Sequence, residues 1–296
     1  MSSQAHLLSA GRVSIMPAIP QPHRIGPRTM SSAAHASEAA VEQPQLAVSG
    51  VSKRFGGVRA VEDVTVSVGQ GEIVSIIGPN GAGKTTLLNI ISGLFQPNTG
   101  SILLEGRDIT GERPSRIAAM GVARTFQNIA LFNGMSVLDN IMLGRHVRMG
   151  SGLFASVVYW GMAQKEEAEH RSRVEDLIDF LKLQQLRRQP TGALAYGLRK
   201  RVELARALAL EPKIVLLDEP MGGMNQDEKE DMARYILDVN EEWGTTMILI
   251  EHDMGVVMDI SDRVAVLDHG RKIAEGTPAE IQHNPDVIKA YLGTKR

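Results

Sequence analysis

Residues 78–86 read Gly-Pro-Asn-Gly-Ala-Gly-Lys-Thr-Thr and follow the largely apolar run Ile73 to Ile77. Gly78, Gly83, Lys84 and Thr85 stand in register for a phosphate-binding loop, and a strand before it with a helix after it is the context this motif requires. The backbone through Gly78, Pro79, Asn80, Gly81, Ala82 and Gly83 can wrap its N–H groups around phosphates. Lys84 can reach the β and γ oxygens, and the Thr85 hydroxyl is placed to ligate Mg²⁺. The helix expected from Thr85 through Thr86 to about Ser92 adds its positive end. These residues imply a chain that binds a nucleoside phosphate.

The 296 residues suffice for one large or two modest domains, and 43% hydrophobic content is ordinary for a soluble protein. A net charge of -2 argues against a broad cationic face, so nucleic acid is not expected as a partner. The absence of cysteine excludes disulfides, thiolate metal sites and thiol nucleophiles. No stretch approaches the roughly 18 consecutive apolar residues of a spanning helix, so a membrane role must come through a partner. Residues 1–44 are rich in Ser, Ala, Pro and His, and their first acid is Glu38. They are expected as a disordered extension; a transit peptide and a start upstream of Met30 stay open as readings.

Over residues 45–293, β-type runs at Leu46 to Val51, Val64 to Val68 and Ser101 to Glu105 surround the phosphate loop. Turn signals lie at Gly56-Gly57, Gly69 to Gly71 and Asn98 to Gly100, which together predict a β-rich nucleotide subdomain. The runs Ile214 to Leu217, Thr246 to Ile250 and Val264 to Leu267 alternate with helical patterns and predict buried parallel strands. Between them Ser136 to Asp139 resembles a helix start. Val174, Leu177, Ile178 and Leu181 recur at helical spacing, predicting a helical insertion over about 136–210. Inside it Leu153 to Trp160 is an apolar patch, either core or partner surface.

Downstream, Ile214 to Pro220 ends a buried run on two adjacent carboxylates. Beside a phosphate loop, Asp218 would hold Mg²⁺ and Glu219 would act as general base on the attacking water. Another apolar run ends at Glu251-His252-Asp253, from which His252 can orient that water or bond the γ-phosphate.

Phosphate loop, acidic strand end and histidine strand end, in this order, resemble the ATP-binding-cassette ATPase family over essentially the whole of 45–293. The resemblance implies an α/β fold of the P-loop type, with a β-rich nucleotide subdomain and a helical insertion, and ATP with Mg²⁺ as ligands. It implies that Lys84, Glu219 and His252 are catalytic and that Thr85, Gln127 and Asp218 face the metal. Phe55 corresponds to the family's aromatic residue that stacks on adenine, with an ordinary core phenylalanine as the other reading. Gln127 falls in the family's glutamine loop.

The family signature, usually Leu-Ser-Gly-Gly-Gln, falls on Leu194, Ala195, Tyr196, Gly197 and Leu198, where only Leu194 and Gly197 match. In the family this segment caps the ATP of the opposite subunit, so Ala195 and Gly197 are expected at a nucleotide shared across a dimer. Ala195 lacks the usual hydroxyl, and Asn225 stands where the family usually has Asp. The composite site built on this signature is therefore expected to be the weaker one, a pattern suited to a heterodimer. Arg199, Lys200 and Arg201 are read as a solvated face or as contacts to acidic neighbours.

The segment 121–144, the insertion after it and the ending 270–293 look most like the ATP-binding subunit of branched-chain amino acid importers. That implies two integral-membrane permeases, a second and different ATPase, an external solute-binding protein, and a place on the cytoplasmic face of the inner membrane. Relatives serving amides, urea, aromatic acids or lipopolysaccharide export, and soluble cassette proteins outside transport, are the alternatives.

Overall fold

Strand β3 (Ile73–Ile77) is buried along its whole length, because it lies inside a six-stranded sheet with strands on either side. A computed structural model describes residues 43–125, 127, 129–146 and 160–292. The extension expected over 1–44 lies outside these residues except for Gln43 and Pro44, and so does the patch Leu153 to Trp160 up to the helix start at Trp160.

The strands in chain order are β1 (Leu46–Phe55), β2 (Val58–Val68), β3, β4 (Thr99–Leu104), β5 (Arg107–Asp108), β6 (Val122–Arg124), β7 (Ile214–Asp218), β8 (Thr246–Ile250), β9 (Arg263–Asp268) and β10 (Arg271–Gly276). The α-helices are α1 (Lys84–Ile91), α2 (Pro114–Ala119), α3 (Val137–Arg145), α4 (Trp160–Phe180), α5 (Tyr196–Leu208), α6 (Gln226–Trp243), α7 (Met254–Ile260), α8 (Pro278–Gln282) and α9 (Pro285–Leu292).

The large sheet has the order β10-β9-β3-β8-β7-β6. All pairings from β9 to β6 are parallel, and β10 closes the edge antiparallel to β9. β7 and β8 show no polar alternation because helices and the second sheet cover both faces. The second sheet, β2-β1-β4-β5, is antiparallel throughout, and its Val48, Val51, Val64, Val66 and Ile102 pack with Leu87, Leu88 and Ile91 of α1 in one core. α/β architecture, β-rich subdomain and helical insertion thus appear as the sequence predicts. The strand expected at Ser101 to Glu105 begins earlier, at Thr99, and stops before Glu105, whose φ of 49° leaves the extended region.

In the insertion, Val174, Ile178 and Leu181 are buried against Val137 and Ile141 of α3 and Val202 and Ala205 of α5. The Ser136 hydroxyl caps α3 by accepting the Asp139 N–H at 3.1 Å. Fully buried Asn140 donates to the carbonyls of Phe132, Met135 and Ser136 and accepts the Phe132 N–H at 2.9 Å, which fixes the loop leading into α3.

Candidate nucleotide site

The loop between β3 and α1 takes a shape that only glycine permits at its two ends. Gly78 and Gly83 have φ of 145° and 98°, and a methyl group on them would strike the backbone oxygens of Leu267 and Ala60 respectively. Asn80 and Gly81 form the exposed tip, Pro79 is half-buried and Ala82 is packed inside. Lys84, almost fully buried, donates from Nζ to the carbonyls of Gly78 at 2.8 Å and Pro79 at 3.0 Å. Burial pushes its pKa down, opposed by the charges of Glu219 and Asp218. Thr85 and Thr86 occupy the first turn of α1, half-buried.

Asp218 ends β7 beside the loop. Its Oδ2 receives Arg124 Nη2 at 3.0 Å in a pair whose side chains are 1% and 8% exposed, and Arg124 Nη1 reaches Asn89 of α1 and Ser92, the residue that ends it. Burial raises the Asp218 carboxyl above its ordinary range, and Arg124 opposes the rise. The other oxygen, Oδ1, is buried and has no hydrogen-bond partner among the described residues. An orphaned carboxylate oxygen fits a hard cation. Among the described residues no group of three His, Cys, Asp or Glu is placed to hold a metal ion.

Glu219 has the left-handed φ of 50°, a conformation costing on the order of 1–3 kcal/mol for a non-glycine residue. Its N–H donates to the Ile250 carbonyl at 2.9 Å and its carbonyl accepts from Lys200 Nζ at 3.3 Å. This conformation sets its carboxylate between two side chains, with His252 Nε2 2.6 Å from Oε1 and Gln127 Nε2 donating to Oε2 at 3.0 Å. Gln127, expected toward the metal, thus meets the Glu219 carboxylate through its amide nitrogen.

Phe55 ends β1 with its ring 43% exposed, edge-to-face on Phe95, and Lys53 Nζ lies 5.3 Å from the ring centre. It is not a core side chain. Ala195 is the N-cap of α5 and provides no side-chain acceptor. Gly197 packs so tightly against α6 that a methyl group there would strike the Glu228 carboxylate. No hydrogen bond joins Ala195 or Gly197 to loop 78–86 among the described residues. Asn225 keeps the capping role of an acidic residue: it caps α6 by accepting the Glu228 N–H at 2.9 Å while Glu228 accepts the Asn225 N–H at 3.0 Å.

Three residues escaped the sequence reading. Arg124 stands in a three-residue strand too short to show periodicity, and Glu251 is hidden beside the more conspicuous His252. The reading of Lys200 as solvated is corrected. It is 3% exposed and donates to the carbonyls of Gln127 at 3.0 Å and Glu219, and both it and Arg201 meet acidic neighbours as the other reading had it, Glu203 at 4.0 Å and Asp231 at 3.3 Å.

A glycine loop on a parallel sheet, with a carboxylate-bearing strand end and a histidine-bearing strand end beside it, defines a P-loop nucleotide hydrolase. A profile of the ABC transporter family matches residues 61–222, and one of the branched-chain amino acid ATP-binding cassette transporter matches 271–295. The high-affinity branched-chain amino acid transport ATP-binding protein LivG of Salmonella typhimurium is 42% identical over 86% of this chain and 99% of its own. Among solved structures, an ATP-binding cassette of an ABC transporter in its ADP conformation aligns with a TM-score of 0.74 at 32% identity, covering 85% of this chain and 99% of that one. A dimeric cassette in a post-hydrolysis state bound to ADP and phosphate aligns with a TM-score of 0.67 at 26% identity, covering 79% and 98%. The chain belongs to the ABC transporter family, as an ATP-binding cassette whose activity is ATP hydrolysis coupled to transport.

Proposed function

We propose that the chain hydrolyses ATP with Mg²⁺ as one of two unlike cassettes that drive an importer of branched-chain or other hydrophobic amino acids. Two integral-membrane permeases hold it at the cytoplasmic face of the inner membrane, and an external solute-binding protein delivers the substrate. Among the described residues no helix is long and apolar enough to cross a membrane, so attachment runs through those partners.

The observation that carries the chemistry is the Glu219 carboxylate held between His252 and Gln127. Glu219 accepts the proton of the attacking water as its oxygen bonds the γ-phosphorus and the bond to the β–γ bridging oxygen breaks, releasing ADP and phosphate, and His252 keeps the carboxylate in line. Lys84 and the loop N–H groups hold the β and γ oxygens, and exposed Phe55 offers a face to adenine. Thr85, Gln127 and the orphaned oxygen of Asp218 would hold Mg²⁺, which supplies neutralisation of phosphate charge.

Two departures support pairing with a different cassette. Ala195 and Leu198 stand where the usual signature carries a serine hydroxyl and a glutamine amide for a partner's nucleotide, while Lys84, Asp218, Glu219 and His252 are all present. The substrate class rests on the match of the C-terminal segment and on likeness to LivG.

The test is to tag the full-length chain, solubilise membranes gently and identify the co-purifying chains by mass spectrometry. Two permeases and a second, different ATPase are expected, with hydrolysis stimulated by a solute-binding protein loaded with leucine. Recovery with itself alone, or with ribosomes, overturns the transport reading.

A further inference from the structure

Glu251 stands between the last residue of β8 and His252, and its side chain is 3% exposed. Its Oε1 accepts the Met221 N–H at 2.8 Å and its Oε2 accepts the His252 N–H at 3.1 Å. A carboxylate taken out of water is retained only where donors replace that water, and here both donors are backbone groups of segments carrying catalytic side chains. Burial and the nearby Glu219 charge raise its pKa, and the two N–H groups and His252 work against them.

The consequence lies at Glu219, whose left-handed backbone persists only if its neighbours leave it no alternative. On one side its own N–H is fastened to Ile250. On the other, after Pro220, the next backbone donor is Met221, and Glu251 holds it. Lys200 takes the carbonyl between them. The segment 219–221 is thus pinned at both ends to 250–252, the stretch that carries His252. Releasing Met221 lets Glu219 relax toward right-handed φ, which turns its carboxylate away from His252 and Gln127.

We infer that Glu251 is a positioning residue for ATP hydrolysis, holding Glu219 in the conformation that sets its carboxylate against His252. It touches no substrate and acts through the backbone on either side. This rests on Glu219 serving as the base.

The experiment measures steady-state hydrolysis against ATP concentration, and binding of a fluorescent ATP analogue with Mg²⁺, in the complex purified through the tagged full-length chain. Parent, Glu251→Gln, Glu251→Asp and Glu219→Gln are compared. The amide of Glu251→Gln keeps one acceptor and sets a donor against the other N–H, and Glu251→Asp keeps the charge on a shorter arm. The expected result is a fall in kcat of about 10- to 100-fold for Glu251→Gln and a smaller fall for Glu251→Asp. KM and analogue affinity stay within about twofold of the parent, because nucleotide binding does not use this contact. A kcat within about twofold of the parent for both variants overturns the inference, as does a loss confined to KM and affinity. If Glu251→Gln fails to fold, the same split is read from Glu251→Asp. Hydrolysis by Glu219→Gln at the parent rate would instead defeat the assignment of the base.

Discussion

His252 Nε2 lies 2.6 Å from Glu219 Oε1, and the two residues follow neighbouring parallel strands, β8 and β7. Gln127, just past β6 on the other flank of β7, donates to the second oxygen of the same carboxylate. Three consecutive strands of the sheet therefore end around one acid, and the sheet order β8-β7-β6 brings together residues 127, 219 and 252. A carboxylate gripped from both sides gives up rotational freedom before substrate arrives, which, for the base proposed here, is how a positioned group lowers a barrier.

From that geometry, His252→Ala is expected to lower kcat by about 10²- to 10⁴-fold, and Glu219→Gln to do at least as much while ATP stays bound. Neither contributes to the loop that holds the phosphates, so analogue affinity should stay within about threefold. Single-turnover hydrolysis and filter-retained nucleotide in the purified complex separate the two quantities. A His252→Ala enzyme that hydrolyses at the parental rate would remove the histidine from the mechanism.

What could be read before the structure followed from period and local chemistry. The loop 78–86, the carboxylates at the end of Ile214 to Asp218 and the histidine after Thr246 to Ile250 each sit where a largely apolar run stops, and the structure has strands at all three. Arg124, Lys200 and Glu251 stayed hidden because nothing in their neighbourhoods announces burial. Lys200 lies between two arginines near a helix start, where a solvated face is the ordinary outcome. Its partners are carbonyls 73 and 19 residues away, which no spacing rule connects. β10 was missed because Arg271 to Gly276 is polar, as an edge strand with one exposed side is free to be.

The N-cap of α5 supplies a second prediction. Ala195 has extended φ and ψ of -59° and 155°, the geometry from which a serine hydroxyl accepts an N–H of the first turn. Ala195→Ser is expected to stabilise the protein by about 1 kcal/mol. The corresponding rise in melting temperature is about 2–4 °C, read by calorimetry. The same hydroxyl restores a ligand for the nucleotide of a partner cassette, so hydrolysis by the assembled complex should rise. An unchanged melting temperature would mean the cap position is satisfied by water alone.

Lys200 gives a third. Its ammonium holds the carbonyls of Gln127 and Glu219 and stands 4.0 Å from the buried carboxylate of Glu203. Lys200→Met keeps the length and apolar stem but withdraws the donor and the charge. The expected cost is about 2–3 kcal/mol in urea denaturation, together with a fall in kcat because both carbonyls flank the base. If stability falls and kcat does not, the ammonium serves the fold of α5 alone.

The fourth prediction concerns acid. Glu72, just before β3, accepts Arg263 Nε at 2.8 Å and Nη2 at 2.9 Å in a two-pronged contact, and the Gly69 N–H donates to it at 2.7 Å. Burial works to raise the Glu72 carboxyl, but the arginine and the Gly69 N–H prevail and hold it below its ordinary 4.5. A carboxyl whose folded pKa lies below its unfolded one leaves the folded state with fewer bound protons, so its stabilisation is present above 4.5 and is lost as pH falls through the folded value. Glu72→Gln should therefore be less stable than the parent at about pH 7, with the gap closing as the pH drops below the ordinary carboxylate value. Urea melts of both proteins across that range measure it. An equal gap at every pH would show that Arg263 is held by hydrogen-bond geometry, which an amide oxygen imitates poorly at any pH, and that charge contributes nothing at this junction of β3 and β9.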